Sequence, residues 1–147
     1  MQGLRQALAA VVIERSKHPR FEGVLPRIDR AGSAINPYCG DAVSVVVSLD
    51  AGAERVTAVR CSVDGCAVCK ASADLMAEFV EGSTLKELCE MDEAFQRGLR
   101  TGESSWPIAH PLAPFAALHL VPARAGCAAL PWQALRQVLR PAPSLDG

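Results

Sequence analysis

Helices packed on a small antiparallel β-sheet are what this sequence predicts, and three observations predict it. Residues 3–17 carry Leu4, Leu8, Val11, Val12 and Arg15 at helical spacing. Ala42 to Leu49 is rich in valine, and Glu54 to Val63 sets Val59, Cys61 and Val63 on one side of an alternating run. From Ala67 onward the apolar period becomes helical again.

Taken in order, the first helix ends near Lys17-His18-Pro19, because proline disfavours helical backbone in the residue before it. Residues 19–38 hold three prolines and two glycines without periodicity, which predicts an irregular lead-in with room for a third strand. The two valine-rich runs join through Asp50-Ala51-Gly52-Ala53 as a hairpin. Ala67 to Glu81 offers Ala71, Leu75, Ala77, Phe79 and Val80 as an apolar face before Gly82 stops it. Thr84 with Glu87 reads as a capping box for a helix striped by Leu85, Leu88, Phe95 and Leu99. Arg100 to Pro114 reads as a long exposed loop containing Trp106. Phe115 to Val121 follows as a short helix, and Cys127 to Leu139 as a last one, with Pro131 expected in its first turn.

With 147 residues, half of them apolar, one domain over residues 1–140 is expected, large enough for a core without disulfides, with residues 141–147 as a frayed tail. Fifteen basic residues against sixteen acidic ones give no field that draws the chain to nucleic acid or anionic lipid. No stretch approaches the roughly 20 apolar residues of a membrane span. Arg5 and Glu14 bound the early apolar run, and no secretory pattern follows it. The chain therefore reads as cytoplasmic. In a reducing compartment its six cysteines are ligands, nucleophiles or buried hydrophobes rather than disulfide partners.

The cysteines divide by position. Cys39 lies in Asn36-Pro37-Tyr38-Cys39-Gly40-Asp41, where a bend at Gly40 turns a thiol and a carboxylate toward one metal ion. Gly65-Cys66 and Gly126-Cys127 each set a thiol just ahead of a helical pattern, where backbone N–H groups favour the thiolate. Cys39, Asp41, Cys66 and Cys127 make a tetrahedral zinc set of three thiolates and one carboxylate. Cys61 and Cys89 fall on apolar stripes and read as core. Cys69, three residues after Cys66 and on the same helix face, is an accessory thiol, either a spare ligand or a resolving thiol. A dithiol redox motif at Cys66-Ala67-Val68-Cys69 lacks the preceding parallel strand such sites use. His18, His110 and His119 have no motif around them, and Glu78, Glu81, Asp92 and Glu93 read as solvated helix faces.

These motifs resemble the iron-sulfur cluster assembly proteins of the IscU, NifU and SufU type, the SufU branch in particular. Asn36 to Asp41 matches the family's Asn-Pro-x-Cys-Gly-Asp, and Gly65 to Ser72 its Gly-Cys-x-x-Ser-x-Ala-Ser. Pro122 to Trp132 matches its Pro-x-Arg-x-x-Cys-Ala-x-Leu-x-Trp, and Glu14 to Arg20 its basic lead-in. The segment from Gly98 to about Pro114 is an insertion typical of SufU-like members. The histidine that IscU-like members place before the last cysteine is absent, Gly126 standing there. SufU-like proteins usually have lysine at the Gly126 position and serine at the Cys69 position.

The resemblance implies an α+β fold of about three antiparallel strands covered by helices, with one zinc on Cys39, Asp41, Cys66 and Cys127. It implies sulfurtransferase-like work, with Cys39 accepting persulfide sulfur from a PLP-dependent cysteine desulfurase alongside other iron-sulfur assembly proteins. Arg124 and the loop around Trp106 are the expected partner contacts. The alternatives are a scaffold that builds a [2Fe-2S] cluster on the same four residues, and a structural zinc site in an interaction module.

Overall fold

A computed structural model describes residues 2–139. Helix α1 (Gln2–Lys17) precedes three strands, β1 (Arg30–Ile35), β2 (Ala42–Leu49) and β3 (Val56–Asp64). Helices α2 (Ala67–Val80) and α3 (Leu85–Thr101) follow, then a 3₁₀ helix Ala113–Leu120, α4 (Pro122–Arg136) and a closing 3₁₀ turn Gln137–Leu139. The sheet is antiparallel in the order β1-β2-β3, so the expected α+β architecture is observed, its third strand drawn from the lead-in. No helix among the described residues is long and apolar enough to cross a membrane.

The strands alternate because one face meets helices and the other meets solvent. Val43, Val45, Val47 and Leu49 of β2 are buried with Val59 and Cys61 of β3, where Val45 pairs with Cys61 and Val47 with Val59. A register shift at Ser48/Leu49 brings Leu49 opposite Val56. Helices α2 and α4 cover this face. A Cβ at Gly32 would collide with the Ala134 carbonyl oxygen, so glycine there lets α4 lie against β1. Trp132 of α4 is fully buried, stacked on Phe95 at 4.7 Å between ring centroids. Its Nε1–H donates to Ser72 Oγ at 3.2 Å, and the Ser72 hydroxyl donates to the Ala128 carbonyl at 2.6 Å. That relay ties α2 to α4 and satisfies every polar atom in it.

The capping box of α3 is formed as expected: Glu87 N–H donates to Thr84 Oγ1 at 3.0 Å and Thr84 N–H to Glu87 Oε1 at 3.1 Å. Four expectations are corrected. The last helix begins at Pro122 rather than Cys127, with proline at its first position, where the missing N–H costs nothing. Pro131 consequently lies inside the helix, and the Cys127 carbonyl loses the amide donor that an ordinary residue would supply there. The loop after α3 is shorter than Arg100–Pro114, running only over residues 102–112, and Trp106 is half-buried in it. Trp106 stacks on His110 at 5.5 Å, which packs on Phe79 at 4.5 Å. Burial pushes the His110 ring below its ordinary pKa. Finally, Cys89 is half-buried rather than core.

Glu78 and Asp92, read as solvated, instead join ion pairs with Arg15 and Arg136. Arg15 of α1 is buried, its Nε donating to Asp74 Oδ2 at 2.7 Å and its Nη1 reaching Glu78 at 2.8 Å. The other oxygen of Asp74 accepts the Arg20 and Phe21 amides, each at 2.8 Å. One buried carboxylate thus pins α1, α2 and the start of the lead-in together. Asp92 is buried too and pairs with Arg136 Nε at 2.9 Å; burial is the main cause that raises its pKa. The segment 141–147, expected to be a tail, lies outside the described residues.

Candidate metal centre

Sheet register brings the site together. Ile35 pairs with Ala42, so residues 36–41 form the tip of the β1-β2 hairpin, and Ala42 pairs with Asp64, so β3 leaves the sheet at that same end. Cys66 therefore starts α2 beside the hairpin carrying Cys39 and Asp41. Asn36 shapes the tip: its N–H donates to the Asp41 carbonyl at 2.8 Å, and its carbonyl accepts Gly40 N–H at 2.8 Å. Its side-chain oxygen accepts Tyr38 N–H at 3.0 Å. Gly40 takes φ +78°, the left-handed bend expected there.

The thiol of Cys39, a carboxylate oxygen of Asp41 and the thiol of Cys127 all lie within 4.8 Å of one another. Donors on one tetrahedral zinc stand about 3.3–3.8 Å apart, so small side-chain adjustments bring this set onto an ion. Cys66 stands outside that set of three and begins α2 at the same end of the sheet. Cys66 is the N-cap of α2, with no side-chain bond to the helix amides, so the positive end of that helix remains directed at the cluster. Cys127, expected ahead of its helix, sits within α4 and owes nothing to a helix N-terminus. Burial foremost, and then the neighbouring Cys66, Cys39 and Asp41, push its thiol up to about 12.

Access differs sharply among the donors. Asp41 and Cys127 are buried, Cys66 is half-buried, and Cys39 is exposed behind Tyr38, which is 98% exposed. The carboxylate sits so close to the chain entering α2 that a Cβ at Gly65 would stand 2.7 Å from Asp41 Cγ. Asp41 Oδ2 is buried and has no hydrogen-bond partner among the described residues. A buried, unpartnered carboxylate oxygen among thiols that repel one another's charge suits a cation, and mixed sulfur and oxygen donors suit zinc.

The structure brings Cys39, Asp41, Cys66 and Cys127 to one end of the sheet. Arg124 lies exposed in the first turn of α4, its side chain without a hydrogen bond or ion pair among the described residues. Trp106 packs against the core through the His110 stack. Cys69 is fully buried behind Cys66. Sequence reasoning missed the Asp74 network, although Arg15 on the apolar stripe of the first helix signalled a buried partner.

A three-stranded antiparallel sheet under helices, with thiols and a carboxylate gathered at its hairpin end, defines an α+β class of protein with a candidate metal site. The chain belongs to the NifU-like N-terminal domain family, whose model matches residues 7–104. It is 27% identical over 140 residues to the iron-sulfur cluster assembly scaffold protein IscU of Streptococcus pyogenes, covering 93% of this chain and 85% of that one. It is 30% identical over 130 residues to the zinc-dependent sulfurtransferase SufU of Bacillus subtilis, covering 86% and 85%. A solved structure from Fervidobacterium islandicum, described as an iron-sulfur cluster assembly scaffold for the SUF system, superposes with TM-score 0.80 at 26% identity. That match covers 88% of this chain and 94% of the other.

Proposed function

We propose that this chain serves iron-sulfur cluster assembly as a zinc-dependent sulfur acceptor, with Cys39, Asp41, Cys66 and Cys127 as the metal ligands. One observation carries the reading: the exposed thiol of Cys39 stands beside the buried donors Asp41 and Cys127. The buried donors anchor, while the hairpin thiol is free to leave and to meet a second protein. Bound zinc would supply the positive charge that keeps the thiols ionised at neutral pH.

The transfer itself belongs to Cys39. Its thiolate attacks the terminal sulfur of a persulfide on the cysteine of a PLP-dependent desulfurase, forming a new S–S bond. The bond between that sulfur and the desulfurase cysteine breaks, and the desulfurase leaves as thiolate. Cys127, held in α4, and Asp41, where the hairpin tip enters β2, keep the site's shape while Cys39 moves. Tyr38 and Arg124, both exposed, are the side chains that face an incoming partner.

Similarity to a zinc-dependent sulfurtransferase supports this reading, as does the mixed donor set. The second reading, a scaffold on which a [2Fe-2S] cluster forms and passes to apo-proteins, is supported by similarity to a scaffold protein and by the same thiolates. Desulfurase turnover, measured with and without the zinc-loaded chain, tests the first. Stimulation that disappears with Cys39→Ala supports sulfur acceptance; turnover unaffected by the chain contradicts it.

A further inference from the structure

Two hollows join into one open groove between α3 and α4. The wider part, about 450 Å³, is lined by Asp92, Glu93, Gln96, Arg97, Arg100 and Arg136. The narrower part shares Gln96 and Arg100 with it and continues over Leu99, Ala125, Gly126 and Ala129, ending beside Cys127 in the chain. Residues 96 and 100 on α3, and 125 and 129 on α4, recur at helical spacing, so each helix turns one face to the groove.

The cations along it are unevenly used. Arg136 Nε pairs with Asp92 at 2.9 Å, whereas exposed Arg97 reaches the Ser105 hydroxyl at 3.4 Å. Neither Arg97 nor Arg100 has a carboxylate partner among the described residues, and both are exposed. With Asp92 and Arg136 balancing each other, two guanidinium groups face one exposed carboxylate, Glu93. The whole chain carries a formal charge of −1, so this positive character is local and suits a short anionic segment rather than a long polyanion. Gly126 adds an independent observation. Its φ is not in the left-handed region, and a Cβ there would meet nothing nearer than Asn36 Nδ2 at 3.8 Å. Neither the backbone nor packing within the chain calls for glycine at this helical position, where it is the poorer helix former. It leaves room for a backbone approaching from outside.

We propose that this groove docks a short acidic segment of a partner protein. The carboxylates of the segment meet the planar forks of Arg97 and Arg100, and its main chain passes over Ala125, Gly126 and Ala129 toward the metal centre. From Gly126 to Arg136 the helix rises about 15 Å, which accommodates roughly four or five residues in extended form. The proposal goes beyond the sulfur-acceptor reading: the groove and its arginines are the same whether the metal centre accepts sulfur or builds a cluster. Desulfurase turnover that ignores the chain, with segment binding intact, would remove that reading alone.

The probes are a labelled Glu-Ala-Glu-Ala-Glu peptide, its Gln-Ala-Gln-Ala-Gln counterpart and a short single-stranded oligonucleotide. Each is titrated into the full-length zinc-loaded chain, with affinity read by fluorescence anisotropy and position by amide chemical shifts. Arg97→Gln/Arg100→Gln and Gly126→Leu alter the groove. Lys86→Gln makes a similar charge change at an exposed position near the start of α3. Circular dichroism and zinc content check each variant.

The acidic peptide is expected to shift the amides of Gln96, Arg100, Gly126 and Ala129, and to bind more weakly as salt rises. Its affinity should fall by roughly tenfold or more in the double arginine variant, fall in Gly126→Leu, and hold in Lys86→Gln. An acidic peptide that shifts no groove amide, a glutamine peptide that binds as tightly, or a double variant that binds as well as wild type overturns the proposal. So does an oligonucleotide that displaces the peptide at equal concentration, or a dimer in sedimentation that the double variant dissolves. Those outcomes assign the groove to nucleic acid or to a second copy of the chain.

Discussion

Replacing Asp41 by alanine should change the protein's stability in opposite directions with and without metal. In the metal-free chain Asp41 is 6% exposed and its Oδ2 has no partner among the described residues, a burial that costs about 1–3 kcal/mol. Asp41→Ala removes that oxygen while leaving the hairpin bonds intact, since Asn36 N–H and Gly40 N–H bond main-chain oxygens. For a chain of this length each kcal/mol moves Tm by about 2–4 °C, so metal-free Asp41→Ala should melt roughly 2–12 °C above wild type. Zinc at about 100 times its dissociation constant adds about 2.7 kcal/mol to whichever form binds it. Wild type should then rise by about 5–10 °C while the variant, lacking one ligand, rises far less. Calorimetry on chelator-treated and zinc-loaded samples reads both. An Asp41→Ala chain that is less stable than wild type by the same margin in both states would refute the reasoning, and would make the carboxylate a structural group.

Three further outcomes are expected. Gly65→Ala places a Cβ 2.7 Å from Asp41 Cγ, so zinc content should fall with circular dichroism unchanged; full zinc occupancy would show that the carboxylate yields freely. Arg15→Ala leaves buried Asp74 without its cation and should cost about 3–5 kcal/mol in urea unfolding, a loss under about 1 kcal/mol being inconsistent with the network. Burial foremost, and then the charge of Asp74, raises Cys61 from 9.0 to about 12. The unfolded thiol ionises first, so stability holds below about pH 9 and is lost as pH rises toward about 12. Cys61→Val should flatten that alkaline decline, measured as the urea midpoint against pH.

The valine run of β2, the helical period of α2 and the Thr84-Glu87 box were legible because local pattern and burial agree there. β1 was legible only as room for a strand: Arg-Ala-Gly-Ser-Ala-Ile has one β-branched residue and is held by pairing with β2. The start of α4 was hidden because Pro122, Gly126 and Pro131 read as breakers, although Pro122 fits a first helical position. Cys39, Asp41 and Cys66 were placed correctly at turns and a cap, whereas Cys127 reaches the cluster from within a helix, through the packing of α4 on β1. Asp92 turns inward because Arg136, on another helix, offers a partner, and Trp106 does so through His110, which packs on Phe79 of α2; neither Arg136 nor Phe79 lies in a local window.

Mass analysis of the zinc-loaded chain after anaerobic incubation with a cysteine desulfurase and cysteine, followed by alkylation, tests the central claim most directly. The account predicts one added sulfur atom on the peptide containing Cys39, absent when the desulfurase is omitted. A chain that gains no sulfur on Cys39, yet develops a visible charge-transfer spectrum with iron and sulfide, would contradict it and favour the scaffold.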